Sequence, residues 1–331
     1  MNISVIIPFQ KESDYLAETL AALKNQTHRK MDVVLLSDGP LAESFVREHL
    51  GSYPFPYKII ETGPVSPAVK RDKGAVVCSG EVLAFIDDDA YPAQDWLEKA
   101  IPYFYDEAVC GTGGPQLTPE NDGFWQKVSG AVFLSPLNGG TVFRYWPGNR
   151  SKSVDDWPSV NLLVRKTDFF MVGGFDNEYW PGEDTKLCLD LVNLGKTIIY
   201  VPDMIVYHHR RSGFRRHLHQ IGNYGLHRGF FAKRYPSTSF RLMYFLPSCF
   251  FFFVTLGWVL APVGLTLVYG SLWAVYLVAL VYSTLSIMNK VKSPVLALGT
   301  VPYIVGTHFL YGFRFLQGFF LKTDLKSKLG R

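Results

Sequence analysis

The sequence predicts an α/β domain on a mostly parallel sheet, followed by apolar helices that enter a membrane. Short β-branched runs alternate with helical patterns up to about residue 210, as they do when helices cover both faces of a sheet. Charge divides along the chain: residues 1–203 hold 18 Lys/Arg and 28 Asp/Glu, net −10, whereas residues 204–331 hold 15 and 1, net +14. No charged residue interrupts the 47 positions from Leu242 to Met288, more than twice the roughly 20 that cross a bilayer once.

The opening "MNISVIIPF" lacks a basic leader and a cleavage site, so it is expected to be a first strand and not a signal peptide. "DYLAETLAALKNQ" follows with Leu16, Leu20 and Leu23 at helical spacing. "MDVVLLSDG" and "YKIIETG" read as the second and third strands, "AVKRDKGAVVCSG" as a helix and "EVLAFIDDDA" as the fourth strand. Farther on come a strand-like "VNLLVRK", a turn at "GGFD" and a helix opening at Glu183, with Leu187, Leu191 and Leu194 as its apolar stripe and Gly195 as its stop. "YVPDMIVYHHRR" reads as a strand ending in two histidines. The four cysteines are scattered without metal spacing and are expected to pack as small hydrophobes in a reducing compartment.

Ligands of such sheets bind beyond the carboxyl ends of the strands. This places Glu12, Asp38 and Asp87 to Asp89 around one crevice. In an extended chain Asp87 and Asp89 share a face while Asp88 points away. Two carboxylates so spaced suit a hard cation, Mg²⁺ or Mn²⁺, that bridges to substrate phosphates; a solvated acidic turn is the alternative. Asp184 falls in the first turn of its helix, where the dipole favours the ionised form, and there it can act as a general base or merely decorate the helix start. His208 or His209 can supply an imidazole ligand to the same cation, or pack at the surface.

Toward the C-terminus, a pair of hydrophobic helices fits residues 242–288, with a break at "VYGS" (268–271) and a competing turn at 262–264. The basic flanks "HHRRSGFRRHLHQ", "HRGFFAKRYPSTSFR" and "NKVK" predict that both ends of this pair, and the N-terminal domain, are cytoplasmic at the plasma membrane. Residues 293–321, which include Pro302, His308 and Arg314, are expected to form an interfacial or re-entrant helix, with a third crossing as the alternative. A basic tail, 322–331, ends the chain. The juxtamembrane segment 211–241 carries basic residues interleaved with aromatics and no acid. Attachment to anionic lipid, or to the pyrophosphate of a lipid-linked acceptor, suits it better than nucleic acid. Trp146, Trp157 and Trp180 offer faces for sugar stacking.

Over residues 3–210 the motifs together resemble the family 2 inverting glycosyltransferases of GT-A fold. "SVIIPFQKE" is similar to their first strand, "VVLLSDG" to their paired-acid segment with Ser37 in place of the first acid, and "AVKRDKG" to A-x-A-R-N-x-G with Asp72 in place of asparagine. "FIDDDA" matches D-x-D, "VNLLVRKTDFFMVGGFD" the acceptor-side segment and "GED" the catalytic-base motif. The resemblance implies a nucleotide-diphosphate sugar donor held by Pro8, Glu12, Asp38, Arg71, Asp87 and Asp88. It further implies one Mn²⁺ or Mg²⁺ on Asp87, Asp89 and His208 or His209, Asp184 as base, and an acceptor near Asn161, Trp180 and Glu183. Gln220 is not followed by the Arg-Trp of the processive Q-x-x-R-W motif, so transfer of a single sugar is expected. The acceptor is a hydroxyl of a lipid-linked or cell-surface glycan, or alternatively a polyprenyl phosphate that needs no base. A membrane-anchored sugar-nucleotide sensor is the non-enzymatic alternative.

Overall fold

The computed structural model describes residues 1–175, 179, 181–260 and 264–325, which gather into two compact units. The first unit holds residues 1–117 and 146–209, and the second 118–145 and 210–325.

The first unit begins β1 (Ile3–Pro8), α1 (Asp14–Lys24), β2 (Met31–Ser37), α2 (Glu43–Phe45), β3 (Tyr57–Glu61), α3 (Pro67–Val77), β4 (Val82–Phe85). It continues with β5 (Ala90–Pro92), α4 (Trp96–Ala100), β6 (Val109–Gly113) and β7 (Gln116–Leu117). After α5 (Phe124–Val132), which belongs to the second unit, follow β8 (Lys152–Val154), β9 (Leu162–Arg165), α6 (Lys166–Met171), α7 (Glu183–Asn193), β10 (Thr197–Tyr200) and β11 (Val206–His208). Eight strands make a sheet of order β3-β2-β1-β4-β9-β6-β10-β8, and three make a second, β5-β11-β7. The first four are parallel, with Ile6 opposite both Val34 and Phe85, while β9 runs antiparallel to β4 and β6.

Local chemistry explains the elements. β1, β2 and β4 are buried along their whole length, which is why they read as nearly continuous apolar runs; the buried Ser4 and Asp32 that interrupt them bond each other, Ser4 Oγ donating to Asp32 Oδ1 at 2.7 Å. α1 starts where Ser13 Oγ accepts from Leu16 N at 3.1 Å and buries Leu16, Leu20 and Leu23. α3 starts on Ser66 with Pro67 in its first turn. Its Gly74 lets it seat on the sheet, since a Cβ there would lie 3.0 Å from Ile6 Cγ2 and Leu36 Cδ1.

Four expectations need correction. The strand of "EVLAFIDDDA" stops at Phe85, and Asp88 and Asp89 lie in a turn, not in extended chain. "YVPDMIVYHHRR" is two strands of different sheets, because Pro202 has no N–H with which to continue the ladder. Leu187 and Leu191 are fully buried, but Leu194 caps α7 and is 38% exposed. The break between the hydrophobic helices is not at 268–271, which lie inside a helix: one glycine, Gly270, costs a helix only about 1 kcal/mol. Gly264, at φ +78°, stands just ahead of that helix, and Pro262 lies outside the described residues.

The second unit contains α5, α8 (Phe214–Arg234), α9 (Pro236–Ser239), α10 (Leu242–Leu256), α11 (Thr266–Val291) and α12 (Pro294–Leu316), which continues as a π-turn to Leu321. Leu242–Val259, Thr266–Val291 and Pro294–Leu321 are each long and apolar enough to cross a membrane, by length and composition. The basic segment is helical: α8 lies against α12 with no room between the backbones. A Cβ on Gly225 would sit 2.7 Å from Tyr311 O, and one on Gly229 would sit 2.0 Å from Phe315 O, the close approach that small residues permit. His217 of α8 bonds Ser129 Oγ at 2.8 Å and Thr307 Oγ1 at 3.0 Å. Burial lowers its pKa to about 4, so it joins α5, α8 and α12 as a neutral ring.

Candidate active site

The small sheet assembles residues far apart in sequence. β11 lies between β5 and β7, with His208 opposite Ala90 and Val206 opposite Gln116. Ligand atoms of Asp87, Asp89 and His208 consequently lie within 4.8 Å of one another. His208 Nε2 is 3.1 Å from Asp89 Oδ1, and its Nδ1 is 2.8 Å from Gln116 Oε1. An amide oxygen only accepts, so Nδ1 carries the proton. Nε2 then faces a carboxylate oxygen, which is favourable only with a proton or a cation between them. Two carboxylates and an imidazole fixed from behind by an amide make a set suited to a divalent cation. Mg²⁺ prefers an all-oxygen shell, and Mn²⁺ tolerates the nitrogen. Asp88 is not in this cluster.

His209 is not brought to the carboxylates. Its Nε2 lies 2.7 Å from Glu18 Oε2, and its ring stacks on Tyr15 with centroids 4.2 Å apart. Successive side chains of an extended segment face opposite ways, so the two histidines cannot both turn to one ion.

Three consecutive residues of α3 tie the crevice together. Lys70, 2% exposed, donates to Phe9 O and to Asp38 Oδ1, the latter at 2.5 Å. Arg71 donates from Nη2 to Asp87 Oδ1 at 2.6 Å and from Nη1 to Glu183 Oε1 at 3.1 Å. Asp72 Oδ1 accepts from Phe175 N at 3.0 Å, which gives the carboxylate found in place of asparagine a fixed task. Arg71 is 3% exposed, and its two Nη groups engage two carboxylates while its buried Nε has no hydrogen-bond partner among the described residues; it holds those two carboxylates in place.

α7 delivers two acids in its first turn. Glu183 is buried against Arg71, and its carboxyl is raised to about 7 by burial first and by the neighbouring Asp184 charge second, with Arg71 acting against both. Asp184 is half-buried. Its Oδ1 accepts from Thr185 N at 2.8 Å and its Oδ2 from Ser159 N at 3.4 Å.

Other expectations fare differently. Asn161 is fully buried: it accepts from Trp96 Nε1 at 2.8 Å and donates to Pro115 O at 3.0 Å and Met204 O at 2.8 Å. Its amide is consumed in holding loops together, so it is not an acceptor contact. Trp157 is likewise fully buried, donating to Gly114 O at 3.2 Å, and offers no stacking face; Trp146 is 40% exposed. Trp180 lies outside the described residues. Pro8 is buried at the end of β1, and Glu12 is half-buried in the loop beyond it. Sequence reasoning missed Lys70 and Gln116. Lys70 is marked only by its place beside Arg71, and Gln116 by nothing in the sequence, because β7 is two residues long.

Residues 4–165 match the sequence profile of glycosyl transferase family 2. The chain is 25% identical over 242 residues to a pre-mycofactocin glycosyltransferase of Mycobacterium tuberculosis, covering 73% of this chain and 50% of that protein. It is 26% identical over 220 residues to glycosyltransferase AglE of Haloferax volcanii, covering 63% of this chain and 67% of that one. The chain thus spans about half the length of the mycobacterial relative. Its fold is shared, at 17% identity and a TM-score of 0.57, with the mannosyltransferase PcManGT of Pyrobaculum calidifontis, solved with GDP-Man and Mn²⁺; the match covers 97% of this chain and 88% of that one. Profile, relatives and fold together identify residues 4–165 as a glycosyl transferase family 2 domain with a GT-A-type sheet, Asp38 following β2 and Asp87 and Asp89 following β4.

Proposed function

We propose that the protein is a membrane-bound inverting glycosyltransferase. It moves one sugar from a nucleotide-diphosphate donor to a hydroxyl of a lipid-linked or cell-surface glycan. The main support is the convergence of Asp87, Asp89 and His208 beside an α7 first turn that Arg71 ties to Asp87. The solved mannosyltransferase of the same fold holds a nucleotide sugar and Mn²⁺, which supports that reading. Asp87, Asp89 and His208 are the residues to hold Mn²⁺ or Mg²⁺. When bound, the cation supplies stabilisation of the negative charge gathering on the departing diphosphate.

The chain's own residues do the rest. Lys70 keeps Asp38 fixed at the nucleotide end of the crevice, next to the loop that carries Glu12. Asp184, oriented by two backbone N–H groups, takes the proton from the acceptor hydroxyl. That oxygen then forms a bond to the anomeric carbon on the face opposite the leaving diphosphate. The bond from the anomeric carbon to the phosphate oxygen breaks, its electron pair leaves with the nucleotide, and the configuration inverts. The apolar helices hold the enzyme at the membrane, with the catalytic unit on the cytoplasmic side where nucleotide sugars are made.

Release of nucleotide from a panel of sugar nucleotides tests this, measured with and without Mn²⁺. Wild-type protein is expected to turn over at least one donor only when the ion is present, and Asp89→Ala to be slower by on the order of 10²–10³-fold. No release from any donor, with the fold intact, would favour the sensor reading.

A further inference from the structure

Two recesses of opposite character are lined by consecutive residues at the start of α8. The first, about 290 Å³, is lined by Arg211, Arg215, Arg216, His219 and Gln220. The second, about 460 Å³, is apolar and runs among four helices, lined among others by Phe214, Phe250, Trp273, Val305, Gly306 and Phe309. Phe214 is the first residue of α8 and Arg215 the next, so neighbouring side chains serve both recesses. Gly306 lets α12 approach this end of α8 on the apolar side: a Cβ there would press on the Phe214 ring at 3.0 Å. No acidic residue occurs between Met204 and Thr323 to neutralise the arginines from their own segment.

We propose that this pair of recesses is the seat of a single-chain lipid phosphate, of polyprenyl phosphate or pyrophosphate type. The phosphate lies among the α8 arginines and the hydrocarbon lies in the groove between α8, α10, α11 and α12. Three arginines around one recess match the several oxygens of a phosphate or pyrophosphate, which arginine forks bind in pairs. A single apolar groove takes one hydrocarbon chain, whereas a diacyl lipid brings two. Such a lipid carries its phosphate at the end of the chain, where a glycan is attached. The use of this lipid as carrier of the acceptor rests on the transferase reading above; the seat itself rests on the two recesses.

The test is photolabelling of the full chain in phosphatidylcholine nanodiscs, with a farnesyl phosphate analogue bearing a diazirine in its tail. The expected result is label on peptides of α10 and α12 that contain Phe250 and Phe309. Farnesyl phosphate should compete at concentrations roughly tenfold below those needed of farnesol, inorganic phosphate or dioleoyl phosphatidic acid. The exposed double variant Arg215→Gln/Arg216→Gln should lower labelling about tenfold, and Val254→Trp, which fills the groove, should lower it with the arginines intact. Competition by farnesol equal to that by farnesyl phosphate, or undiminished labelling of the arginine variant, would overturn the seat. Equal competition by phosphatidic acid would reduce the patch to general attachment to anionic lipid, and competition by inorganic phosphate alone would leave a phosphate site without a lipid. Nucleotide release with water as acceptor, followed in parallel, separates the two readings. Its absence with labelling intact sinks the transferase, and its presence with labelling lost sinks the seat.

Discussion

Asp184→Asn is expected to lower kcat for transfer to a hydroxyl acceptor by roughly 10²–10⁴-fold, the usual worth of a positioned general base, with little change in donor KM. The substitution keeps the shape, but its one oxygen can accept from only one of Thr185 N and Ser159 N, which bond different oxygens of Asp184, and an amide does not take up the proton. Glu183 does not substitute for it, being buried and bonded to Arg71. The comparison that matters is between acceptors. A phosphate nucleophile is already ionised and needs no base, so a loss of less than about tenfold with a polyprenyl phosphate acceptor would identify the phosphate as the nucleophile. In that case the lipid bound at the α8 recesses is the acceptor group itself and not the carrier of a glycan.

Arg71→Met is expected to cost stability before it costs chemistry. The guanidinium is buried between Asp87 and Glu183 and lies over the Phe175 ring, 5.3 Å from its centroid. Methionine keeps much of the packing and leaves two carboxylates without their cation. Breaking a buried pair in this way costs about 3–5 kcal/mol, and the lower end applies because Asp87 stays 30% exposed. An apparent Tm roughly 6–12 °C lower should result. The loss should depend on pH. Glu183 already titrates near 7 in the folded protein, above the ordinary carboxylate value. A carboxyl raised in this way contributes stability below its unfolded pKa and loses it as pH rises through the folded one. With Arg71 gone, ionised Glu183 is penalised further, so the variant's deficit should be larger at about pH 8 than at about pH 5.5. Melting curves at the two pH values check this; equal deficits would mean that packing on Phe175, not charge, is what Arg71 supplies.

The legible parts of the fold were those written in period and punctuation. Leu16, Leu20 and Leu23 announced α1; Glu183 and Gly195 bracketed α7; the long apolar run announced the last helices. The spatial grouping of Asp87, Asp89 and a histidine was also anticipated, although a turn, and not strand alternation, produces it. What could not be read is what depends on pairing between distant short strands. β5, β7 and β11 have two or three residues each, too few to carry a pattern, yet their order decides that His208 and not His209 meets Asp89 and that Gln116 stands behind it. Nor does a sequence tell whether a polar side chain is spent internally. Asn161 looked like a ligand contact, and burial with its amide bonded to Trp96, Pro115 and Met204 removes it from that role; Arg71 is tied to Asp87 and Glu183. The helix break was misplaced for a simpler reason: a lone glycine, Gly270, is a weak breaker and lies inside α11, whereas Gly264, at φ +78°, stands just ahead of that helix.

Electron paramagnetic resonance of Mn²⁺ bound to the full chain in the presence of a nucleoside diphosphate tests the site most directly. One tightly bound ion is expected in the wild-type protein, its affinity reduced at least tenfold by His208→Ala and unchanged by His209→Gln. Binding that survives loss of His208 but not of His209, or no bound ion in a folded wild-type protein, would contradict the assignment of Asp87, Asp89 and His208 as the metal site.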